Sequence, residues 1–188
     1  DFAYLVREGD RISVYPVFET FDIRQVSRVR PDALREIRFI LDIPLGRLAR
    51  YLRMMGFDAA FNRSFTAEQI ISLSLEEKRI ILSRSRSLLK RRRITHGFCL
   101  LSPEPEEQAR MVLQRFALSA SLAPFTRCLE CNARMEDISA EQVADLVPPD
   151  VLAKQRRFRS CPSCRRVYWE GSHFAKMEER ILRISQAL

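Results

Sequence analysis

Hydrophobic positions follow strand-like and helix-like periods in turn over residues 37–117. Residues 37–41 form a short apolar run that stops at Asp42, as a buried parallel strand does. Pro44 suits a first helical turn, and leucines then recur at helical spacing until Gly56. Further strands are predicted over residues 57–61, 79–83 and 98–101, with a helix over residues 67–77 between the first two. This order predicts an α/β fold with a parallel sheet flanked by helices.

Two amphipathic helices are predicted in the second half of the chain. One begins after Ser102-Pro103, and the other begins after Ser172 and closes the chain. The predicted core face of the first consists of Ala109, Val112, Leu113, Phe116 and Ala117. That of the second consists of Phe174, Met177, Ile181, Ile184 and Leu188. We expect both apolar stripes to be core contacts.

Composition and charge narrow the class of protein. The chain has 188 residues, 46% of them hydrophobic and 30% charged, which is typical of a folded globular protein. No apolar run approaches the roughly 20 residues that cross a bilayer, so we expect a soluble, cytoplasmic protein without membrane contact. The 32 Lys and Arg exceed the 24 Asp and Glu, giving a net charge of +8 that favours a polyanionic partner.

The cysteines form two CxxC pairs in the tail. Cys128 and Cys131 precede Cys161 and Cys164 by an interval of 29 residues. Four thiolates from two tight turns suit a tetrahedral Zn²⁺, and four protein ligands indicate a structural ion. Two redox CxxC motifs or disulfides are the alternatives, although a cytosolic location disfavours structural disulfides. Cys99 falls in a predicted strand and is interpreted as a buried apolar residue.

Two blocks of sequence resemble the Mut7-C RNase domain. The first contains residues 39–42, 45–53 and 56–58, and the second contains residues 127–132, 147–149 and 161–173. The resemblance runs over roughly residues 37–185 and implies a PIN-like nuclease fold with a C-terminal zinc ribbon. It divides the chain into a PIN-like α/β domain over 36–120 and a zinc ribbon with a closing amphipathic helix over 121–188. Residues 1–30 resemble the closing strands of a ubiquitin-like β-grasp domain.

The resemblance also implies a metal-dependent nuclease site. PIN-type nucleases hold Mg²⁺ or Mn²⁺ with three or four carboxylates at the carboxyl ends of the strands. Asp42 occupies the first such position, and Glu68 is the candidate for the second. Ser85 occupies the third, where an acid is expected, and a hydroxyl adds no charge to hold the metal. The alternative for Asp42 and Glu68 is that each carboxylate stabilises a helix N-terminus without metal.

Clusters of basic residues predict an RNA-binding surface. One lies along the helix after Asp42 (Arg47, Arg50, Arg53), and a second, which contains no acid, spans residues 84–93. A third surrounds the second CxxC pair. The candidate RNA contacts are Arg47, Arg50, Arg84, Arg86, Arg91, Arg92, Arg93, Arg157 and Arg165. A solvated charged surface is the alternative.

Two functional hypotheses follow from these patterns. The first is a metal-dependent ribonuclease, weakened by Ser85, that hydrolyses RNA phosphodiesters. The second is a non-catalytic module that binds RNA or ribonucleoprotein and retains the PIN-like fold and zinc ribbon. An adaptor in a sulfur-carrier or toxin–antitoxin-like pathway is a further alternative, suggested only by residues 1–30. Tyr168, Trp169 and His173 are expected to pack the ribbon, the alternative being stacking on bases.

Overall fold

A computed structural model describes residues 37–186 of the chain. The predicted β-grasp segment, residues 1–30, lies outside the described residues. The elements of the first half are β1 (Arg38–Leu41), α1 (Gly46–Met54), β2 (Asp58–Ala60), α2 (Ala67–Glu76), β3 (Ile80–Ser83), α3 (Arg86–Leu89), β4 (Gly97–Cys99) and α4 (Pro105–Arg115). Those of the second half are β5 (Glu136–Ile138), α5 (Ala140–Val143), α6 (Pro149–Lys154), β6 (Phe158–Ser160), β7 (Val167–Trp169) and α7 (Ser172–Ser185). Short 3₁₀ turns cover Ile43–Leu45 and Ser119–Ser121.

The first four strands form one parallel sheet in the order β2-β1-β3-β4. β1 and β3 occupy its centre, which explains why their sequences are continuous apolar runs rather than alternating ones. Helices cover both faces, as shown by two groups of buried side chains. The larger group joins β1 and β3 to α1, α4 and α7, and the smaller joins them to α2 and α3. The predicted α/β fold with a parallel sheet flanked by helices is confirmed.

The helix ends explain one wrong prediction about the core. α4 ends at Arg115, and Ala117 then adopts a left-handed φ of 50° and is exposed. Leu118 donates its N–H to the Leu113 carbonyl at 2.9 Å and is buried in place of Ala117. This hydrogen bond is characteristic of a Schellman helix end, in which the residue after the left-handed position turns back to the core. α1 ends in the same way, with Gly56 at a φ of 95°.

The last three strands form a separate antiparallel sheet in the order β5-β6-β7. A small core on this sheet contains Val143, Val147 and Phe158, with Trp169 packed against it. α7 then returns to the parallel sheet, where Ile181 and Ile184 are buried in the larger core. These two residues confirm the closing helix as a core contact, whereas Leu188 of the predicted face lies outside the described residues. Its N-cap is Gly171 and not Ser172, which is the first helical residue.

Among residues 37–186, no helix has the length and apolar character needed to cross a membrane.

Candidate metal centre and nucleic-acid surface

The two CxxC pairs fold into two turns with the same hydrogen bonds. In the first, the Cys128 N–H donates to the Ala133 carbonyl at 2.8 Å and the Asn132 N–H donates to the Cys128 carbonyl at 3.0 Å. In the second, the Cys161 N–H donates to the Arg166 carbonyl at 2.9 Å and the Arg165 N–H donates to the Cys161 carbonyl at 2.8 Å. We call these turns the first and second knuckles. Asn132 and Arg165, which follow the second cysteine of each pair, have left-handed φ values of 73° and 59°.

The knuckles bring all four sulfur atoms together. The Sγ atoms of Cys128, Cys131, Cys161 and Cys164 all lie within 4.8 Å of one another. Cys131 Sγ lies 3.2 Å from Cys161 Sγ, and Cys128 Sγ lies 3.5 Å from Cys164 Sγ. Tetrahedral Zn²⁺ with bonds of about 2.3 Å holds its sulfurs about 3.8 Å apart, whereas a disulfide requires about 2.05 Å. The cluster therefore has the ligand set and spacing of a structural zinc site, consistent with the predicted zinc ribbon.

The surroundings of the cluster shift the pKa values of Cys128 and Cys161 in opposite directions. Burial alone would raise the pKa of Cys128, but a hydrogen bond from the Tyr168 hydroxyl, 3.1 Å away, and bonds from backbone amides lower it to about 6. Burial raises the pKa of Cys161 to about 12. The Tyr168 hydroxyl and the backbone amides around Cys128 thus favour its thiolate, the form in which a cysteine binds a metal.

The first knuckle covers the open edge of β2. The Ala59 N–H donates to Asn132 Oδ1 at 3.0 Å, and the Ala59 carbonyl accepts from Arg53 Nε at 2.8 Å. Arg53 Nη1 also donates to the carbonyls of Leu129 and Glu130 at 3.1 and 2.7 Å. These side chains satisfy backbone groups that an unpaired edge strand would expose. Grouping Arg53 with a cationic surface is thus wrong, because its side chain is buried between α1, β2 and the knuckle, with only 3% of the residue exposed.

Asp58 also contributes to the contact between β2 and the first knuckle, which we call the junction, and this role was not predicted from the sequence. Its carboxylate lies 2.5 Å from Arg79 Nη1 and 3.4 Å from Arg127 Nη2, and it accepts from Asn132 Nδ2 at 2.8 Å. Burial would raise the pKa of Asp58, but the hydrogen bonds from Arg79 and Asn132 and the charges of both arginines hold it below its usual value. Asp58 is the first residue of β2, and Arg79 immediately precedes β3. The junction therefore lies at the amino ends of these strands.

Asp42 lies at the opposite, carboxyl end of the sheet. Its Oδ1 accepts from the Ile43 N–H and its Oδ2 accepts from the buried Ser83 hydroxyl, both at 2.8 Å. The Ser83 hydroxyl oxygen in turn accepts from the Ser85 N–H at 2.9 Å. Asp42 therefore caps the 3₁₀ turn that follows β1 and binds the end of β3, as its predicted position implies.

The other two predicted positions carry different partners. Glu68 is an exposed side chain whose two oxygens contact Arg91 and, at 3.1 Å, Arg93. The Ser85 hydroxyl caps α3 by accepting from the Leu88 N–H at 3.2 Å. Within residues 37–186, no three carboxylate or histidine side chains gather into a metal-sized group. The catalytic assignment of Asp42 and Glu68, and the Mg²⁺ or Mn²⁺ that it requires, therefore stay predictions.

The predicted RNA-binding arginines divide into paired and unpaired groups. Arg91 and Arg93 contact Glu68, and Arg50 Nη1 lies 3.1 Å from Glu130. The remaining ones are exposed and form no ion pair with an acidic residue of the described part: Arg47, Arg84, Arg86, Arg92, Arg157 and Arg165. Arg84 and Arg86 flank Ser85 just after the carboxyl end of β3, and Arg92 follows the end of α3 by three residues.

The aromatic residues after the second knuckle take different positions. Tyr168 is half-buried against the cysteine cluster and Trp169 packs on the small ribbon core, which agrees with the structural interpretation. His173, by contrast, is exposed in the first turn of α7.

A parallel α/β sheet joined to a four-cysteine ribbon defines the structural class of this protein. The model of one family, described as the Mut7-C RNAse domain, matches residues 37–181, which include both the sheet and the four cysteines. The chain therefore belongs to the Mut7-C RNAse domain family, and membership supports a nuclease or RNA-related function. Comparison with curated proteins gives no match, and comparison with solved structures gives none either. The matched region begins at residue 37, so the β-grasp assignment of residues 1–30 stays a prediction. The domain limits and a cytoplasmic location also stay predictions.

Proposed function

We propose that this chain binds RNA at the carboxyl end of its parallel sheet and does not cleave it efficiently with millimolar Mg²⁺. The observation that carries the proposal is Ser85. Where the family resemblance predicts a third acid, a neutral hydroxyl caps α3 between the exposed arginines Arg84 and Arg86. This end of the sheet is therefore better suited to hold phosphates than to hold a hard cation.

The distribution of charge around α3 supports the same proposal. Glu68 is the acidic residue that contacts the second basic cluster, and it engages Arg91 and Arg93. Arg84, Arg86 and Arg92 keep their charges without an acidic partner among the described residues. Exposed arginines of this kind contact the phosphate backbone without reading base identity. We therefore expect binding that is weakly sequence-dependent and strongly salt-dependent.

The proposal includes one structural Zn²⁺ on Cys128, Cys131, Cys161 and Cys164. It is supported by the mutual distances of the sulfurs and by the matched hydrogen bonds of the two knuckles. With four protein ligands the ion has no open position for substrate, so its contribution is to fold the ribbon and hold it against β2.

Anisotropy of a labelled single-stranded RNA, measured against salt, tests the binding. Each lost phosphate contact lowers the slope of log K against log salt by about 0.7, so the variant Arg84→Ala/Arg86→Ala/Arg92→Ala should bind with a slope smaller by about 2. A control variant, Lys78→Ala/Arg115→Ala, removes two exposed cations elsewhere and should leave affinity almost unchanged. Undetectable binding by the unmodified protein at low salt would contradict the proposal.

A metal-dependent ribonuclease is the second candidate, favoured by the position of Asp42 at the end of a central strand. Cleavage of labelled RNA with Mg²⁺ or Mn²⁺, compared between the unmodified protein and Asp42→Ala, separates the two. We expect little Mg²⁺-dependent cleavage in either. Vigorous cleavage that Asp42→Ala abolishes would establish the ribonuclease instead.

A further inference from the structure

A groove of about 440 Å³ lies between the ribbon sheet and the first half of α7. Aromatic and arginine side chains line it, among them Phe125, Arg156, Arg157, Tyr168, Trp169 and Phe174. None of the residues at the carboxyl end of the parallel sheet contributes to the lining. Its volume is within the range of about 300–1,000 Å³ that small-molecule sites occupy.

Phe125, Tyr168, Trp169 and Phe174 form what we call the aromatic wall of the groove. Backbone hydrogen bonds hold Phe125 in place. Phe125 and Phe174 pack with ring centroids 4.3 Å apart. Phe125 has a left-handed φ of 58°, which is costly for a bulky residue. Its N–H donates to the Met54 carbonyl at 2.9 Å, and its carbonyl accepts from Arg159 Nη1 at 2.8 Å. These bonds fix the ring that joins the ribbon to α7.

The arginines of the groove are not equivalent. Arg159 pairs with Asp137 at 2.9 Å, and Arg127 lies 3.4 Å from Asp58. Arg156 and Arg157 are exposed and have no acidic partner among the described residues. They precede β6 on the irregular segment after α6, where they can reach a ligand without breaking an existing ion pair. The groove therefore presents two available cations beside an aromatic wall.

We infer that this groove binds single-stranded RNA, with a base against the aromatic wall and the flanking phosphates on Arg156 and Arg157. Every base offers a π face to an aromatic side chain, and arginines beside such a wall follow the backbone of the strand. Bases inside a duplex are already stacked, so double-stranded RNA is excluded from the wall. The inference rests on the proposed function for its class of ligand, and it adds a second contact region, on the ribbon.

The chain contains one tryptophan, and it lines this groove, so its emission reports occupancy directly. The zinc-loaded protein is titrated with single-stranded oligouridylate of about 12 nucleotides. A duplex of equal length and inorganic tripolyphosphate serve as comparison ligands. We expect the single strand to quench Trp169, while the duplex and tripolyphosphate leave its emission unchanged.

Three variants locate the contact. Arg156→Ala/Arg157→Ala should weaken single-strand binding, lower the salt slope by about 1.4 and abolish quenching, with zinc content and circular dichroism unchanged. Lys78→Ala/Arg115→Ala is the charge-matched control, since neither residue lines the groove. Arg84→Ala/Arg86→Ala should weaken binding but leave quenching at saturation intact.

The outcomes separate the two proposals. RNA binding without any change in Trp169 emission, or a loss in Arg156→Ala/Arg157→Ala no larger than in the control, overturns the groove and leaves the α3 surface standing. Normal affinity in Arg84→Ala/Arg86→Ala together with quenching supports the groove and contradicts the α3 surface. Absence of RNA binding at low salt overturns both.

Discussion

The cysteine cluster beside β2 and the carboxyl end of the parallel sheet differ in how their candidate metal ligands are held. Beside β2, two knuckles bring four sulfurs within 4.8 Å of one another, and the tyrosine next to them lowers the pKa of Cys128. At the carboxyl ends, Asp42 is held by Ser83, and Glu68 faces two arginines. Each CxxC turn supplies two of the four sulfurs, so the cysteine site forms as soon as the two turns come together. A site built from residues on three separate elements, as the resemblance implies for Asp42, Glu68 and position 85, needs the whole sheet to bring its ligands together.

The two regions are also connected unequally to the core. The ribbon site is tied to β2 by Arg53 and Asn132, which satisfy the strand's open edge. The α3 surface consists of exposed side chains on a four-residue helix. Changes at the cysteines or at the contacts between the ribbon and β2 should therefore alter stability, whereas changes of exposed arginines near α3 should alter binding.

The largest effect is expected from the zinc ligands. Cys128→Ser or Cys161→Ser should abolish stoichiometric zinc and unfold the ribbon, because structural Zn²⁺ contributes about 10 kcal/mol or more to the folding of small zinc domains. Elemental analysis measures the metal, and hydrogen exchange should show loss of protection in β5, β6 and β7 while β1 and β3 stay protected. Cys99→Ser, which changes a cysteine outside the cluster, is the control. Retention of full zinc by Cys161→Ser would contradict the assignment.

Asp58→Asn should be the next most damaging change. It leaves Arg79 and Arg127 without their shared carboxylate, and breaking a buried ion pair costs about 4 kcal/mol. Because the pKa of Asp58 is lowered in the folded state, its contribution is complete above the unfolded pKa of about 3.9 and is lost as pH falls through the folded value. Urea unfolding should show that the difference in free energy of unfolding between the unmodified protein and Asp58→Asn decreases as pH falls below about 4. A difference independent of pH would contradict this role.

Arg53→Ala and Arg50→Ala form a matched pair on α1. Arg53 donates to three carbonyls in a buried position, so its loss should cost about 3 kcal/mol. Arg50 has an exposed ion pair with Glu130, so its loss should cost about 0.5 kcal/mol or less. Thermal unfolding of the two variants measures the difference. Equal destabilisation would mean that the first knuckle is not held by Arg53.

The smallest effect on stability is expected from Ser85→Asp. Aspartate is as good an N-cap as serine, so α3 should keep its cap and the free energy of unfolding should change by less than about 0.5 kcal/mol. The backbone of residue 85 is linked to Asp42 through the Ser83 hydroxyl, so we expect a carboxylate at this position to increase Mn²⁺ binding, measured by calorimetry. Ser87→Asp, two residues further on, is the control for added charge. Failure of Ser85→Asp to bind Mn²⁺ any better would remove Ser85 from the third ligand position.

Sequence reasoning succeeded where the signal was local and failed where partners were distant. The strand-like runs and the paired cysteines are readable because each repeats a short spacing. Arg53 follows Arg50 by three residues, and nothing in that spacing reveals that Leu129 and Glu130 lie above its side chain. Ala117 extends a good helical pattern, yet the helix ends before it, and the Leu118 N–H bonds back to the Leu113 carbonyl so that Leu118 is buried instead.

The sequence by itself determined the alternation of strands and helices over residues 37–117, the closing helix, the four-cysteine ligand set and the excess of positive charge. Each of these depends on residue type and on contacts between close neighbours in the chain. Only the tertiary structure decided that Asp58, Arg79 and Asn132 form one junction, and that some arginines are paired while others are free to meet phosphate. Asp58 and Asn132 stand 74 residues apart. Hydrogen bonds and ion pairs over such separations exist only after the sheet has brought its strands together, so no local pattern encodes them.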